Sequence, residues 1–228
     1  PQGEINGLED FGRMQEKLRL RLINYAANSA ELEKIPHRKF LDLAVTYYLN
    51  LDMETGEGNG ALIIPNGLME IWGVTEEDLY RTGMENLRRK DKCFAVDMPS
   101  FIMGAASAED EEEMRAALEE IEKEGAPIVE MYVASNQKHR FGAVCMFDSS
   151  LLQQMAYSKG CDLNIYPSCI DELIIIPVKD GNEDCMSTED VWEINMCNVP
   201  KEERLSNSIY RYDRVTQEVS IYKEGAPL

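Results

Sequence analysis

The chain has 228 residues and a formal net charge of −19, because 42 Asp and Glu residues outnumber 23 Lys and Arg residues. Such an acidic surface repels nucleic-acid backbones and anionic membrane surfaces, since both are recognised through Lys and Arg. The composition is 44% hydrophobic and 29% charged, with no apolar run of membrane length, as in a globular protein. We therefore expect no nucleic-acid and no membrane partner, which leaves a protein partner or a small-molecule ligand.

The cysteines give no sign of a disulfide framework. Six are present, with irregular spacing and no CxxC pair, and a chain of this length can build a core without covalent cross-links. We therefore expect reduced thiols and a cytoplasmic location. The start Pro1-Gln2-Gly3 lacks a methionine, so we expect that further residues precede it, and a cleaved signal is left open.

The first half of the chain begins with a predicted amphipathic helix over Leu8–Glu33, whose apolar residues recur at steps of three and four. Pro36 ends it. The aliphatic and aromatic run Phe40–Leu51 predicts a buried strand, and the glycine-rich loop that follows leads to a return strand at Ala61–Ile64. These two strands form a predicted hairpin.

Helices and one strand follow the hairpin. A short helix is predicted at Asn66–Trp72, and Thr75 with Asp78 forms a capping-box-like start to a helix that reaches Lys90. A strand is predicted at Phe94–Met98. The acidic stretch Ala108–Gly125 predicts a solvated helix.

The second half alternates predicted strands and helices without a low-complexity linker. The helix after Asp148 or Ser149 and the helix after Ser187 or Thr188 both begin at capping residues. Strands are predicted at Ile128–Ala134, Phe141–Phe147, Asp162–Tyr166 and Glu172–Val178, with a strand pair within Arg204–Tyr222 that turns near Asp213–Gln217.

Two parts of the chain resemble each other at a separation of 112 positions. Ala61–Pro65 aligns with Leu173–Pro177, and Thr75–Leu87 aligns with Ser187–Val199. Such self-similarity predicts a structural unit that is used twice. Of the aligned residues, Tyr80 and Trp192 are expected in the core, and Asn86 and Asn198 at the helix C-termini.

These elements predict an α+β fold with two related hairpin-plus-helix units and mixed or mainly antiparallel sheets. The predicted division is a first unit over residues 1–107 with the N-terminal helix, an acidic connecting helix over residues 108–126, and a second unit over residues 127–228. One compact domain is the alternative.

Motifs of known chemistry are absent from the sequence. It has no phosphate-binding glycine loop, no nucleophile elbow and no HExxH helix. Its two histidines, His37 and His139, have no second ligand at metal spacing. We therefore predict no metal site and no cofactor.

The turn Tyr166–Glu172 is the most reactive-looking local cluster, because it places a hydroxyl, a thiol and two carboxylates between apolar strands. The candidate polar site consists of Ser168, Asp171 and Glu172, joined by His37 and Asn195. A tight turn whose polar side chains bond the backbone is the alternative. Asn195 either bonds buried backbone or faces a cleft.

A set of short motifs extends from about Leu18 to Tyr212. It consists of Ile35-Pro36-His37, Phe40-Leu41-Asp42-Leu43-Ala44, Trp72-Gly73-Val74 with Glu77 and Leu79-Tyr80, Asn86, Phe141-Gly142-Ala143, Pro167-Ser168 with Glu172, Glu193 with Asn195, and Leu205-Ser206 with Tyr210 and Tyr212. Through these motifs the chain resembles a family of uncharacterised proteins from gut Firmicutes that is known only as a domain of unknown function. The resemblance implies a further segment before this point.

Two departures from that family affect the candidate site. Cys169 stands where the family tends to have Ser, and Asp171 where it tends to have His, so the resemblance does not support catalysis by either residue. Our leading hypothesis is a non-enzymatic binding or interaction module. The alternative is a small hydrolase-like or transferase-like enzyme that uses the Ser168–Glu172 turn.

Overall fold

A computed structural model describes residues 7–52, 59–105, 129–167, 169–179 and 185–228. It confirms the α+β prediction, because helices accompany two antiparallel sheets. The predicted acidic helix over residues 108–126 and the predicted site residue Ser168 lie outside the described residues.

The first sheet has four strands around a long central one. β1 is Leu18–Asn24, β2 is His37–Phe40, β3 is Leu43–Asp52 and β4 is Asn59–Ile63. β1 pairs with one edge of β3, whereas β2 and β4 share the other edge. The antiparallel β3–β4 pair confirms the predicted hairpin.

The described residues of the first half form five α-helices. They are α1 (Phe11–Met14), α2 (Ser29–Leu32), α3 (Asn66–Trp72), α4 (Glu76–Asn86) and α5 (Met98–Ala105). α3 and the capping box of α4 confirm the predictions, and both reciprocal bonds between Thr75 and Asp78 are present. After α4 the chain continues as a π turn over Leu87–Asp91.

The second sheet has six antiparallel strands. They are β5 (Cys93–Asp97), β6 (Tyr132–Asn136), β7 (Leu163–Tyr166), β8 (Leu173–Pro177), β9 (Ile209–Tyr212) and β10 (Val219–Lys223). Their order across the sheet is β10-β9-β7-β8-β6-β5. β5 belongs to the predicted first unit over residues 1–107 but pairs within this second sheet. The predicted division into units stays a prediction.

Two helices with strong N-caps accompany the second sheet. In α6 (Ser149–Lys159) the Asp148 carboxylate accepts from the amides of Ser150 and Leu151. α7 (Thr188–Asn198) begins with a capping box between Ser187 and Asp190, so α4 and α7 share the same start. The strands aligned in the predicted repeat, β4 and β8, differ in position, because β4 lies at a sheet edge and β8 in a sheet interior. The internal repeat as a whole stays a prediction.

The predicted helix over Leu8–Glu33 is wrong. Residues 18–24 form a strand, flanked by the short helices α1 and α2. Leu18, Leu20 and Leu22 are fully buried, while Arg19 and Arg21 between them lie on the other face. This alternation with period two is the pattern of a half-buried strand, whereas only Leu18 and Leu22 also fit the spacing of a helix.

The predicted strand over Phe141–Phe147 is also wrong, because residues 142–147 form a 3₁₀ helix. Phe141 has a left-handed φ of 51° that turns the chain before it. Ala143, Val144, Cys145 and Met146 are all buried, and this run without alternation suits a helical segment packed on every side.

Three of the repeat-based expectations are not met in full. Trp192 is 46% exposed rather than in the core. Tyr80 packs against the main hydrophobic cluster but is only half-buried, with the Arg38 guanidinium 4.1 Å from the ring centroid. Asn86 is buried, but its amide donates to the carbonyls of Gln15 and Leu18 instead of closing its own helix. It thus ties α4 to the start of β1.

One hydrophobic cluster joins the two sheets. It combines the buried faces of β1 and β3 with those of β7, β8 and β9 and with the 3₁₀ helix over residues 142–147. Contacts of this kind supply most of the free energy of folding. Within the described part of the chain, no helix has the length and apolar character needed to cross a membrane.

Gly83 allows α4 to approach β1 closely. A Cβ atom built there would lie 2.3 Å from Leu20 Cδ2. We expect Gly83→Ala to lower the free energy of unfolding by about 1–3 kcal/mol, because the buried Leu20 has little room to move. Gly67→Ala is the matched control, since nothing lies within 4 Å of its added Cβ. Denaturant unfolding that shows equal stability changes in both variants would contradict the close approach.

Candidate functional site

A two-residue turn between β2 and β3 presents the central carboxylate of the site. Leu41, in the left-handed region with φ 56°, and Asp42 connect the paired residues Phe40 and Leu43. A positive φ in a two-residue hairpin matches the twist of the strands that it joins. The turn directs the Asp42 carboxylate toward the segment that precedes β9.

Three hydroxyl groups, two from that segment and one from β9, donate to Asp42. Ser206 Oγ lies 2.6 Å and Ser208 Oγ 3.3 Å from Oδ2, and the Tyr210 hydroxyl donates to Oδ1. Burial, followed by the charge and hydrogen bond of Asp42, raises the pKa of Tyr210. The phenol therefore stays protonated and remains a donor at physiological pH.

Two asparagines hold the backbone of the same segment. Asn24 Nδ2 donates to the Leu205 carbonyl at 3.0 Å. Asn195 Nδ2 donates to the Ser206 carbonyl at 3.0 Å and to Asn207 Oδ1 at 2.8 Å. Residues 205–208 are all buried, so these bonds satisfy carbonyls that would otherwise lack water. We call Asn24, Asp42, Asn195, Ser206, Asn207, Ser208 and Tyr210 the Asp42 centre.

The chain's own residues 224–228 lie against the Asp42 centre. Ser208 Oγ accepts from the Gly225 amide at 3.1 Å, and Asn207 Nδ2 donates to the Ala226 carbonyl at 2.8 Å. A Cβ atom on Gly225 would lie 2.1 Å from the Asn207 carbonyl oxygen, so only glycine fits there. A cavity of about 250 Å³ remains between these residues and the Asp42 centre.

The chemistry of the Asp42 centre favours hydrogen bonding over covalent catalysis. Ser206 and Ser208 donate to a carboxylate, and no histidine, lysine or cysteine side chain belongs to this described network. An aspartate is too weak a base at neutral pH to activate a serine without such a partner. The arrangement suits the recognition of amide and carbonyl groups.

Asp171 acts as a turn residue. Its Oδ1 accepts from the Phe141 amide at 2.6 Å, and its carbonyl accepts from Ser135 Oγ at 2.7 Å. A Cβ atom on Gly142 would lie 2.1 Å from Ser135 Oγ and 2.3 Å from the Asp171 carbonyl oxygen. Gly142 is therefore required where these segments meet, which supports the tight-turn interpretation.

Glu172 and Cys169 lie in a groove of about 520 Å³ that is otherwise mainly apolar. Burial, and then the charge of Asp171, raise the pKa of Glu172, while His139 opposes them. Burial also raises the pKa of the Cys169 thiol to about 11. A nucleophilic cysteine needs the opposite shift, so Cys169 is not an activated thiol.

The structure does not bring the five predicted site residues together. His37 lies on β2, where Nδ1 is 3.1 Å from the Ile35 carbonyl oxygen, and it shares no described contact with Asp171 or Glu172. Asn195 is fully buried and bonds backbone, as one of its two alternatives predicted. Ser168 is outside the described residues. The histidine whose charge lowers the pKa of Glu172 is His139 rather than His37.

Sequence reasoning missed the Asp42 centre as a site. Asp42, Ser206 and Tyr210 belong to the motifs that carry the family resemblance, but 164 positions separate the first two. The available signals were a carboxylate inside the apolar run Phe40–Ala44 and three consecutive polar residues between Leu205 and Ile209.

Metal binding has no support in the described ranges, where no group of three or more His, Cys, Asp or Glu side chains could hold an ion. All six cysteines are free. The predictions of no metal site and no cofactor stay predictions.

Fold and site together define an α+β protein with two antiparallel sheets joined by a buried hydroxyl–carboxylate network. The chain belongs to a family of unknown function, DUF5688, whose model matches residues 1–214. This match confirms the predicted resemblance to a domain of unknown function, whereas a gut-Firmicutes origin stays a prediction. Comparison with curated proteins and with solved structures gives no match.

We expect Asp42→Asn to lower the free energy of unfolding by about 2–4 kcal/mol. The substitution replaces a charged acceptor of three hydroxyls with a neutral amide, and hydrogen bonds to charged groups are the stronger ones. The exposed Asp10→Asn is the matched control, with an expected change within about 0.5 kcal/mol. Urea unfolding of both variants measures the difference, and equal stabilities would show that the Asp42 centre does not hold the sheets.

We expect Glu172→Gln to unfold at a higher urea concentration than the unchanged chain at pH 7. Because the pKa of Glu172 is raised on folding, its charged form costs stability as the pH rises above the unfolded value of about 4.3. The advantage of Gln should therefore shrink toward pH 4. Glu202→Gln, at an exposed position, controls for the loss of one carboxylate. A difference that does not vary with pH would contradict the raised pKa.

Proposed function

We propose that the protein is a non-enzymatic binding module that recognises an extended peptide segment at the Asp42 centre. The observation that carries this proposal is the seating of residues 224–228 there. Side chains of Asn207 and Ser208 bond the main-chain carbonyl of Ala226 and amide of Gly225. Recognition of main-chain groups in an extended segment is a recurring mode of peptide binding.

The side chains of the Asp42 centre are held in place before any peptide binds. Asn207 Oδ1 accepts from the buried Asn195, which orients the Asn207 amide toward the Ala226 carbonyl. Ser208 Oγ donates to Asp42, so its lone pairs face the Gly225 amide. Side chains that are fixed in advance lose little entropy on binding, and affinity increases accordingly.

The contacts also define which peptide the Asp42 centre selects. The close approach of the Asn207 carbonyl to Gly225 requires a residue without a Cβ atom. The preferred ligand is a short, extended segment with glycine at the position of Gly225.

The proposal predicts exchange between the chain's own segment and a free peptide. A chain that ends at Lys223 should bind the peptide Glu-Gly-Ala-Pro-Leu with a Kd on the order of 1 mM or tighter, whereas the full chain should not. The peptide in which Ala replaces Gly should fail to bind, because of the Asn207 carbonyl. Isothermal titration calorimetry or NMR titration measures both affinities.

Two controls make this test decisive. Circular dichroism and thermal unfolding establish that the shortened chain keeps its fold. The Asn207→Ala variant of the shortened chain loses one of the two described bonds and should weaken peptide binding about tenfold. Equal binding of the Gly and Ala peptides, or no binding to a folded shortened chain, would reject the Asp42 centre as a peptide site.

The enzyme alternative keeps one supporting observation, which is the raised pKa of Glu172 beside a groove of about 520 Å³. A carboxyl group with a raised pKa is suited to general acid–base work. Hydrolysis of a generic activated ester tests it: loss of activity in Glu172→Gln with an unchanged fold would favour the enzyme, and absence of activity in the unchanged chain would favour binding.

A further inference from the structure

A second concave surface, the groove of about 520 Å³ around Cys169 and Glu172, shares no lining residue with the cavity at the Asp42 centre. We call it the Glu172 groove. Its walls are mainly aliphatic and thioether side chains, and they include Met98, Met131, Ile174, Met186 and Ile194. A cavity of several hundred cubic ångströms with apolar walls and a few polar groups is the usual form of a small-molecule site.

Main-chain hydrogen bonds join the segments that form the Glu172 groove. The Met98 amide donates to the Met131 carbonyl at 2.8 Å, which connects the start of α5 to the chain just before β6. The Ile170 amide donates to the Glu203 carbonyl at 2.9 Å, which connects the turn before Glu172 to the segment after α7. The fold therefore brings two glutamates from separate segments into one groove.

The charged side chains of the Glu172 groove all carry the same sign. Glu172 and Glu203 are both half-buried, and the described lining residues include no Lys, Arg or His. Arg204, the neighbour of Glu203, uses its guanidinium on the Val199 carbonyl and on Met196. Within the described part of the chain, neither carboxylate forms a hydrogen bond or an ion pair, so both have acceptor oxygens for a ligand.

A carboxylate beside apolar walls without a bonded counter-charge is unfavourable. The pKa of Glu172 agrees with this, since burial and then the charge of Asp171 raise it, and only the charge of His139 opposes them. A cation that binds in the groove would supply the missing charge through charge-assisted hydrogen bonds. The surroundings of Glu172 therefore favour a ligand that is positively charged at one end and apolar over the rest.

We infer that the Glu172 groove binds a small organic amine, in which one protonated amino group is attached to an apolar body. The ammonium group donates to Glu172 and Glu203, and the apolar body covers the aliphatic walls. Methionine side chains are flexible and polarisable, so they adapt to an aliphatic or an aromatic body. An anion would be repelled, and a polyamine would place a further charge against an apolar wall. This site depends neither on peptide binding at the Asp42 centre nor on catalysis.

Phenethylamine is the first probe, because it combines one ammonium group with an aromatic body. The full chain, isotope-labelled at its methionine methyl groups, is titrated near neutral pH and at constant ionic strength, which removes changes in general screening. The NMR signals of Met98, Met131 and Met186 are expected to shift together and to saturate, with a Kd on the order of 1 mM or tighter. Phenethyl alcohol has the same body without the charge, so it should bind at least about fivefold more weakly. Ethylamine lacks the body and should give no saturable shift.

Matched variants separate a built site from general attraction of a cation to an acidic chain. Glu172→Gln should weaken phenethylamine binding at least about fivefold and leave phenethyl alcohol binding unchanged. Glu202→Gln removes the same charge from an exposed position outside the groove and should leave both unchanged. Ile194→Ser, at a wall position that is 40% exposed, should weaken both ligands, because it removes apolar surface. Circular dichroism establishes that each variant keeps its fold.

A parallel titration with hexylamine distinguishes an aliphatic from an aromatic body, and tighter binding of either amine supports the site. Three results would overturn the inference: methionine signals that do not saturate, equal affinity for phenethylamine and phenethyl alcohol, or equal weakening in Glu172→Gln and Glu202→Gln. None of them bears on the peptide titration at the Asp42 centre, because the two sites have no lining residue in common.

Discussion

The Asp42 carboxylate is the interaction on which the arrangement of the two sheets depends. Apolar contacts between the sheets are strong but have no direction, so they do not fix a register by themselves. Three hydroxyl groups that converge on one carboxylate do fix it, because each bond has a preferred geometry. The β2–β3 turn of one sheet is thereby tied to the segment that leads into β9 of the other.

The segment over residues 205–208 shows how a buried irregular stretch is tolerated. A buried loop normally carries backbone groups without partners, and each costs free energy. Here Asn24 and Asn195 supply amide donors to two of its carbonyls, so its polar side chains can be turned outward toward residues 224–228. In the proposed peptide-binding module the same residues serve stability and recognition, so a substitution that weakens one is expected to weaken the other.

Local signals predicted much of the fold. The capping box at Thr75, the caps at Ser187 or Thr188 and at Asp148 or Ser149, and the β3–β4 hairpin depend on residues close in sequence. The structure confirms them, with Ser187 and Asp148 as the capping residues. The helix prediction over Leu18–Asn24 is wrong because Leu18 and Leu22, four residues apart, satisfy both periods, and only pairing with β3 decides between them. The 3₁₀ helix over residues 142–147 depends likewise on the packing around Gly142.

The site was harder to predict, because it also depends on contacts between residues that are distant in sequence. The proposed turn residues were grouped because they are adjacent in sequence, and Asp171 proved to bond the backbone of the Phe141 turn. The residues that converge on Asp42 come from positions 164 to 168 further along the chain. Their local sequence does not indicate that they meet Asp42. They meet it because of the strand order of the two antiparallel sheets.

The π turn at Leu87–Asp91 has a consequence for how length variation would act on this fold. A π turn accommodates more residues per turn than an α-helix, so removal of one residue would restore α-helical geometry. Because the wider turn takes up the extra residue locally, the residues after it would keep their places in the fold. Asp91 would stay beside the buried Arg19, with which it forms an ion pair. A relative one residue shorter between α4 and β5 is therefore expected to keep this ion pair, and its alignment gap belongs within residues 87–91.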